Sequence, residues 1–143
     1  MTIRRDAREW AVQLLFQLDM NADTLEKVFS DFWSDKKPDP AARQFAETLV
    51  RGVRENLDQI DDGIRKHSDK WDIKRIGVVE RNVIRMAICE MLFCDDIPFK
   101  VSINEAVDIT KYFSNSEAGR FVNGILDEFR KETFKDTPSP PFG

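Results

Sequence analysis

Apolar residues along this chain recur at intervals of three and four, the spacing that lines one face of an α-helix. The first run is Ala7, Trp10, Ala11, Leu14, Leu15 and Leu18, which predicts a helix from about Arg4 to Asp19. Leu25, Val28, Phe29, Phe32 and Trp33 supply a second, shorter stripe, and Asp23 with Glu26 three residues on predicts its cap. After a loop at 34–39, Asp39 followed by Pro40 reads as a cap and a first-turn proline. Phe45, Leu49, Val53, Leu57, Ile60 and Ile64 then step by threes and fours, predicting one long helix to about Lys66. Its outer side carries Glu55, Asp58, Asp61 and Asp62, read most simply as a solvated face and otherwise as a partner surface.

Between Ile73 and Cys94 apolar residues fall almost all the way round, as expected of a helix at the centre of a bundle. Asp95-Asp96-Ile97-Pro98 stops it. The next stretch is ambiguous, because Phe99, Val101 and Ile103 alternate like a strand. Ser102 and Glu105, however, have capping-box spacing, and Ile103, Ala106, Val107 and Thr110 continue helically, so a helix over 103–113 is expected. Ser116 is the predicted cap of a last helix carrying Phe121, Val122, Ile125, Leu126 and Phe129. The proline-rich segment 136–143 is expected to be a disordered tail. The expectation is an all-α chain with a single compact domain, residues 1–135, of six to seven helices.

Composition narrows the function. The 143 residues carry 22 Lys and Arg against 26 Asp and Glu, a formal charge of −4, which argues against a general polyanion coat. No apolar run exceeds four residues, far from the ~20 of a membrane helix, and no secretory signal follows the N-terminus, so a cytoplasmic location is expected. Cys89, Cys94 and the lone His67 do not make a zinc cluster; both thiols lie in apolar sequence and read as buried and reduced. Phosphate-binding glycine loops and a nucleophile elbow are missing, so neither catalysis nor a cofactor nor a metal is expected. Charge is unevenly spread: residues 1–62 hold 9 basic and 13 acidic side chains, and residues 65–85 hold 7 and 3.

Arg4, Arg5 and Arg8 sit at the start of the first helix, where the macrodipole already places positive charge. Asp6 and Glu9 offset part of it. Cations concentrated there point to an anionic ligand, or else to a solvated helix start.

Four blocks carry a family likeness: RRDAREWAVQLLF at 4–16, ERNVIRMAICE at 80–90, DIPFKVSINEA at 96–106 and RFVNGILD at 120–127. In order and spacing the chain resembles the NusB family of bacterial transcription antitermination factors over roughly residues 4–131. The resemblance implies two small packed helical bundles and binding, with ribosomal protein NusE, of single-stranded boxA RNA in ribosomal RNA leaders, which helps RNA polymerase elongate past terminators. By resemblance, Arg4, Arg5, Arg8 and Arg85 match RNA contacts, as do Phe113, Glu117 and Phe121, whose aromatic and acceptor character suits splayed-out bases. Phe16 and Glu80 match the NusE interface. Core packing is the alternative for Phe121 and Phe16, and an outward position on the central helix for Arg85. Asp6, Ser68 and Glu117 depart from the usual family pattern. A homodimer of the free protein is compatible with the resemblance.

Two functions follow. The first is an RNA-binding antitermination factor that becomes competent with its partner, because about three neutralised phosphates give a single-strand salt slope of only about −2. The second is a protein interaction module that has kept the fold and lost RNA affinity.

Overall fold

The computed structural model describes residues 3–21, 23–66 and 76–134. Seven helices make up the described residues: α1 (Ile3–Met20), α2 (Leu25–Trp33), α3 (Pro40–Glu55), α4 (Leu57–Lys66), α5 (Val78–Phe93), α6 (Phe99–Phe113) and α7 (Ser116–Thr133). His67, Ser68, Ile73 and the basic residues Lys70, Lys74 and Arg75 lie outside the described residues, as does the segment 136–143.

Helix α5 organises the rest. Ten consecutive positions, Asn82 to Met91, are buried, because α1, α3, α4, α6 and α7 all pack around it. On one side α1 packs against α3 and α2; on the other α6 pairs with α7. This is the expected all-α architecture of two small bundles sharing a central helix. Leu14, Leu49, Ile60, Ile84, Ile88, Ile109 and Leu126 are almost wholly removed from water, each contributing about 1.5–3 kcal/mol by burial. Trp33, the last residue of α2, packs on α1, its ring edge-on to Trp10 at 5.4 Å and to Phe32 at 4.9 Å.

The periodicity located the helices and misplaced several ends. Asp39 does cap α3, accepting from the Ala41 and Ala42 N–H groups at 2.8 and 3.3 Å ahead of Pro40. The long helix is broken at Asn56, whose side-chain amide donates to the Gly52 carbonyl at 2.9 Å and ends α3 before α4 begins. Apolar spacing passes through such a break unchanged, so the pattern alone does not reveal it. At α2 the cap is Thr24, which accepts from Lys27 N–H, rather than Asp23; at α7 it is Asn115, which accepts from Ala118 N–H, rather than Ser116. Helix α6 starts at Phe99, four residues early, and Ser102 and Glu105 form no capping box. Both side chains are engaged by distant partners, described below. Asp61 is not on a solvated face: it is buried and bonded through both oxygens to Arg85, at 2.9 and 3.0 Å.

Candidate nucleic-acid interface

The first two turns of α1 place Arg4, Arg5 and Arg8 along one edge, where α1 meets the α5–α6 connection and the start of α6. Together with Ile97, Pro98 and Val101 they line an open groove of about 710 Å³. The three guanidinium groups differ sharply in availability. Arg4 has a side chain 48% exposed, paired with Asp96 at 3.2 Å and lying over the Phe45 ring at 4.7 Å. Arg5 is half-buried, with hydrogen bonds to both oxygens of Glu105 and to Asp108 at 3.1 Å. Arg8 is only 2% exposed.

The reason for Arg8's burial is Glu90, in the last turn of α5. The two side chains meet fork to fork at 2.7 and 2.8 Å, Ser102 Oγ donates to the same carboxylate at 2.9 Å, and Arg8 reaches Glu105 at 3.2 Å. Burial opposes the Arg8 charge, but the Glu90 carboxylate outweighs it and raises the guanidinium's proton affinity. Hydrogen bonding to Glu105 likewise raises Arg5, and that same bond holds the Glu105 carboxyl below its usual range. The result is a continuous ladder of charge, Arg4–Asp96 in solvent, Arg5–Glu105–Asp108 at the rim and Arg8–Glu90 inside.

Helix α6 links this ladder to a second group. Asp108, bonded to Arg5, lies five residues from Phe113, about 7.5 Å along the axis. Phe113 and Phe121 are half-buried against the core, whereas Glu117 is exposed in the first turn of α7.

Arg85 is not brought to this groove. It is buried on α5, bonded to Asp61 of α4 and reaching Asp19 at 3.3 Å, near the opposite end of α1 from Arg5. Fourteen residues separate Arg5 from Asp19, about 21 Å of helix. Its guanidinium ties α1 and α4 to α5 and is not presented outward. At that same end Arg81 pairs with Asp19 at 3.1 Å, Asn82 donates to it at 2.9 Å, and Glu80 folds back over Gly77 at the start of α5. Phe16, one turn before Asp19, stands 40% exposed, so it is not the core residue that was its alternative.

Glu90 and Asp19 have no role in the sequence reading, and Asp61 and Glu105 have a different one, although these four acids hold Arg5, Arg8 and Arg85. One signal was available: Arg85 and Glu90 are the two charged residues between Val83 and Phe93, in a helix apolar on every side. A charge so placed requires a buried partner.

Known proteins share this fold and sequence pattern. A sequence profile described as the NusB family matches residues 5–131. The transcription antitermination protein NusB of Myxococcus xanthus is 45% identical over 131 residues, 89% of this chain and 94% of its own. Among solved structures, T. maritima NusB superposes with a TM-score of 0.84 at 41% identity, over 92% of this chain and 93% of that one. A chain from a crystal structure of antitermination factors NusB and NusE in complex with dsRNA gives 0.84 at 29% identity, over 92% and 98%.

Proposed function

This chain belongs to the NusB family of transcription antitermination proteins, and from that premise we propose that it binds single-stranded boxA-type RNA of ribosomal RNA leader transcripts together with ribosomal protein NusE, promoting processive elongation by RNA polymerase. The observation that carries this reading is the open groove in which the Arg4 and Arg5 guanidinium groups stand against carboxylates that a phosphate can replace. Arg–phosphate pairs have the same fork geometry as Arg–carboxylate pairs, so exchange needs no rearrangement of α1.

Roles then follow exposure. Arg4 and Arg5 contact phosphate. Arg8 is a positioning residue that fixes α1 and Glu105. Glu117 is an acceptor for a base edge, with the half-buried Phe113 and Phe121 four residues away on either side in sequence. Phe16 is the anchor and Glu80 the rim of the NusE face, which Arg85 shapes from behind by holding Asp19 and Asp61.

The test is anisotropy titration of a boxA-like RNA, single-stranded and as a duplex, with and without NusE. Binding tightens with NusE, favours the single strand, and weakens in Arg4→Ala and Arg5→Ala. Two neutralised phosphates give a salt slope of about −1.4, roughly sevenfold between 50 and 200 mM. No RNA binding under either condition refutes the reading. One observation favours the interaction-module alternative, the internal pairing of Arg4 and Arg5; unaltered NusE binding without RNA retention is its signature.

A further inference from the structure

Beyond the arginine groove, and resting on the RNA-binding reading just given, we propose that Tyr112 is a stacking surface for one nucleobase, reached along the exposed flank of α6. Val101, Glu105, Asp108 and Tyr112 are spaced by four, three and four, so they form one stripe on that helix. Arg5 is bonded to the two middle members, Glu105 and Asp108. Tyr112 stands one turn beyond Asp108, about 6 Å further along the axis. A strand whose phosphate sits on Arg5 therefore has the base of a neighbouring nucleotide within reach of the ring.

The ring is presented rather than packed. Tyr112 is 73% exposed, the highest value among the exposed large hydrophobic side chains of the described residues. Its ring meets Phe113 at 5.1 Å and 70°, edge to face, and Phe113 is itself packed against the core. One edge is thus braced while the rest faces solvent. A tyrosine held this way offers a large flat contact at low cost in side-chain entropy. Charge beside it suits a strand too. Lys111, whose stem lies against Gly119, and Arg120, the next residue of α7, are both exposed and make no ion pair among the described residues. Lys111, next to Tyr112 in the chain, thus offers a cation that is not already engaged by a carboxylate, unlike Arg4 and Arg5. The nearby acid Asp108 is bonded to Arg5, and Glu117 remains as a hydrogen-bond acceptor.

Tyr112 is the single tyrosine of the chain, so 3-fluorotyrosine gives one ¹⁹F resonance. The experiment uses the full chain and a single-stranded RNA dodecamer, with and without NusE. The expected result is a shifted ¹⁹F line on adding RNA, a roughly five- to hundredfold loss of affinity in Tyr112→Ala, and retention within about twofold in Tyr112→Phe. The residue is exposed, and a circular dichroism spectrum equal to that of the parent confirms that the alanine variant is folded. If Arg5→Ala weakens binding while Tyr112→Ala does not and the ¹⁹F line stays still, the stacking proposal is overturned and the arginine reading stands. If the line moves with NusE alone and not with RNA, Tyr112 is a protein contact and the proposal is overturned. No RNA binding by the parent chain, with or without NusE, overturns both.

Discussion

Replacing Glu90 by leucine is the sharpest perturbation of the arginine ladder, because it separates a buried structural charge from an RNA contact. The Arg8–Glu90 pair is nearly sealed, with side chains 3% and 1% exposed. Glu90→Leu leaves the guanidinium inside with the 3.2 Å contact to Glu105 as its remaining carboxylate and the Phe45 ring at 5.6 Å, and deprives Ser102 of its acceptor. Removing one member of a buried ion pair costs about 3–5 kcal/mol. That is a large share of the roughly 5–15 kcal/mol that holds a domain together. At about 3 °C per kcal/mol for a chain of this size, the melting temperature falls by roughly 10–15 °C. Arg8→Met makes the converse break and loses a similar amount. The joint change Arg8→Met/Glu90→Leu exchanges the pair for apolar volume, which is about neutral to stabilising. Ser102 is then free to donate to the Pro98 carbonyl one turn back, at the cap of α6.

The double-mutant cycle therefore predicts two damaging single changes whose effects largely cancel when combined. Urea unfolding followed by tryptophan fluorescence measures all four proteins, and RNA titration of the same four measures function. The folded double variant should keep RNA affinity within a few-fold of the parent, because Arg8 acts by fixing α1 and Glu105. Single variants that lose under about 1 kcal/mol refute the structural argument. A double variant of parental stability that loses RNA affinity tenfold or more refutes the assignment of Arg8 as a positioning residue.

Other outcomes follow from the same geometry. Arg5 holds the Glu105 carboxyl below its usual 4.5, so the unfolded chain takes up that proton first; the contribution is complete above pH 4.5 and lost as pH falls through the lower folded value. Acid titration of stability should show this, and Glu105→Gln should flatten the slope below pH 4.5. Asp96→Asn releases Arg4, and Asp108→Asn removes one of the carboxylates on Arg5 while Glu105 stays; each should tighten RNA binding by at most a few-fold by anisotropy, since exposed pairs are worth about 0–1 kcal/mol. A Cβ at Gly52 would lie 2.7 Å from Cys89 Sγ, so Gly52→Ala should cost about 1–3 kcal/mol in urea unfolding. Gly124, on α7 with open space around it, should gain about 0.5–1 kcal/mol as alanine. Burial pushes the Cys89 thiol up to about 12, so a disulfide reagent at pH 8 should label Cys94 first and Cys89 only as the chain unfolds.

Local periodicity revealed which residues face inward, and the apolar faces of α1, α2, α3 and α7 lie where the spacing of Leu14, Phe29, Leu49 and Ile125 places them. What it missed are pairings across long sequence separations. Ser102 and Glu105 have the spacing of a capping box, and they are engaged instead by Glu90, twelve residues away, and by Arg5, a hundred away. Asp61 has the composition of a surface residue, and it is buried because Arg85 of another helix meets it. Local spacing holds no information about such partners. The same reason explains why Arg4, Arg5 and Arg8, equivalent as letters, differ so widely in the fold: Glu90 in an otherwise apolar stretch signals that some cation goes inside, but not which one.

The acid balance of the chain then has a mechanical meaning. A formal charge of −4 argues against holding RNA by charge alone, yet the acids nearest the groove are the ones that hold the arginines in place. Releasing Arg4 from Asp96 costs little, because both are well exposed and their pair is worth at most about 1 kcal/mol. Freeing Arg5 costs more, since Glu105 is half-buried and both its oxygens are engaged. Releasing Arg8 costs about as much as a buried pair. On the proposed reading RNA can draw on the first, part of the second and none of the third, so phosphate contacts alone supply only weak affinity. Base stacking at the far end of α6 and a partner protein then have to supply the remainder, and discrimination between RNAs resides in those contacts rather than in the arginines.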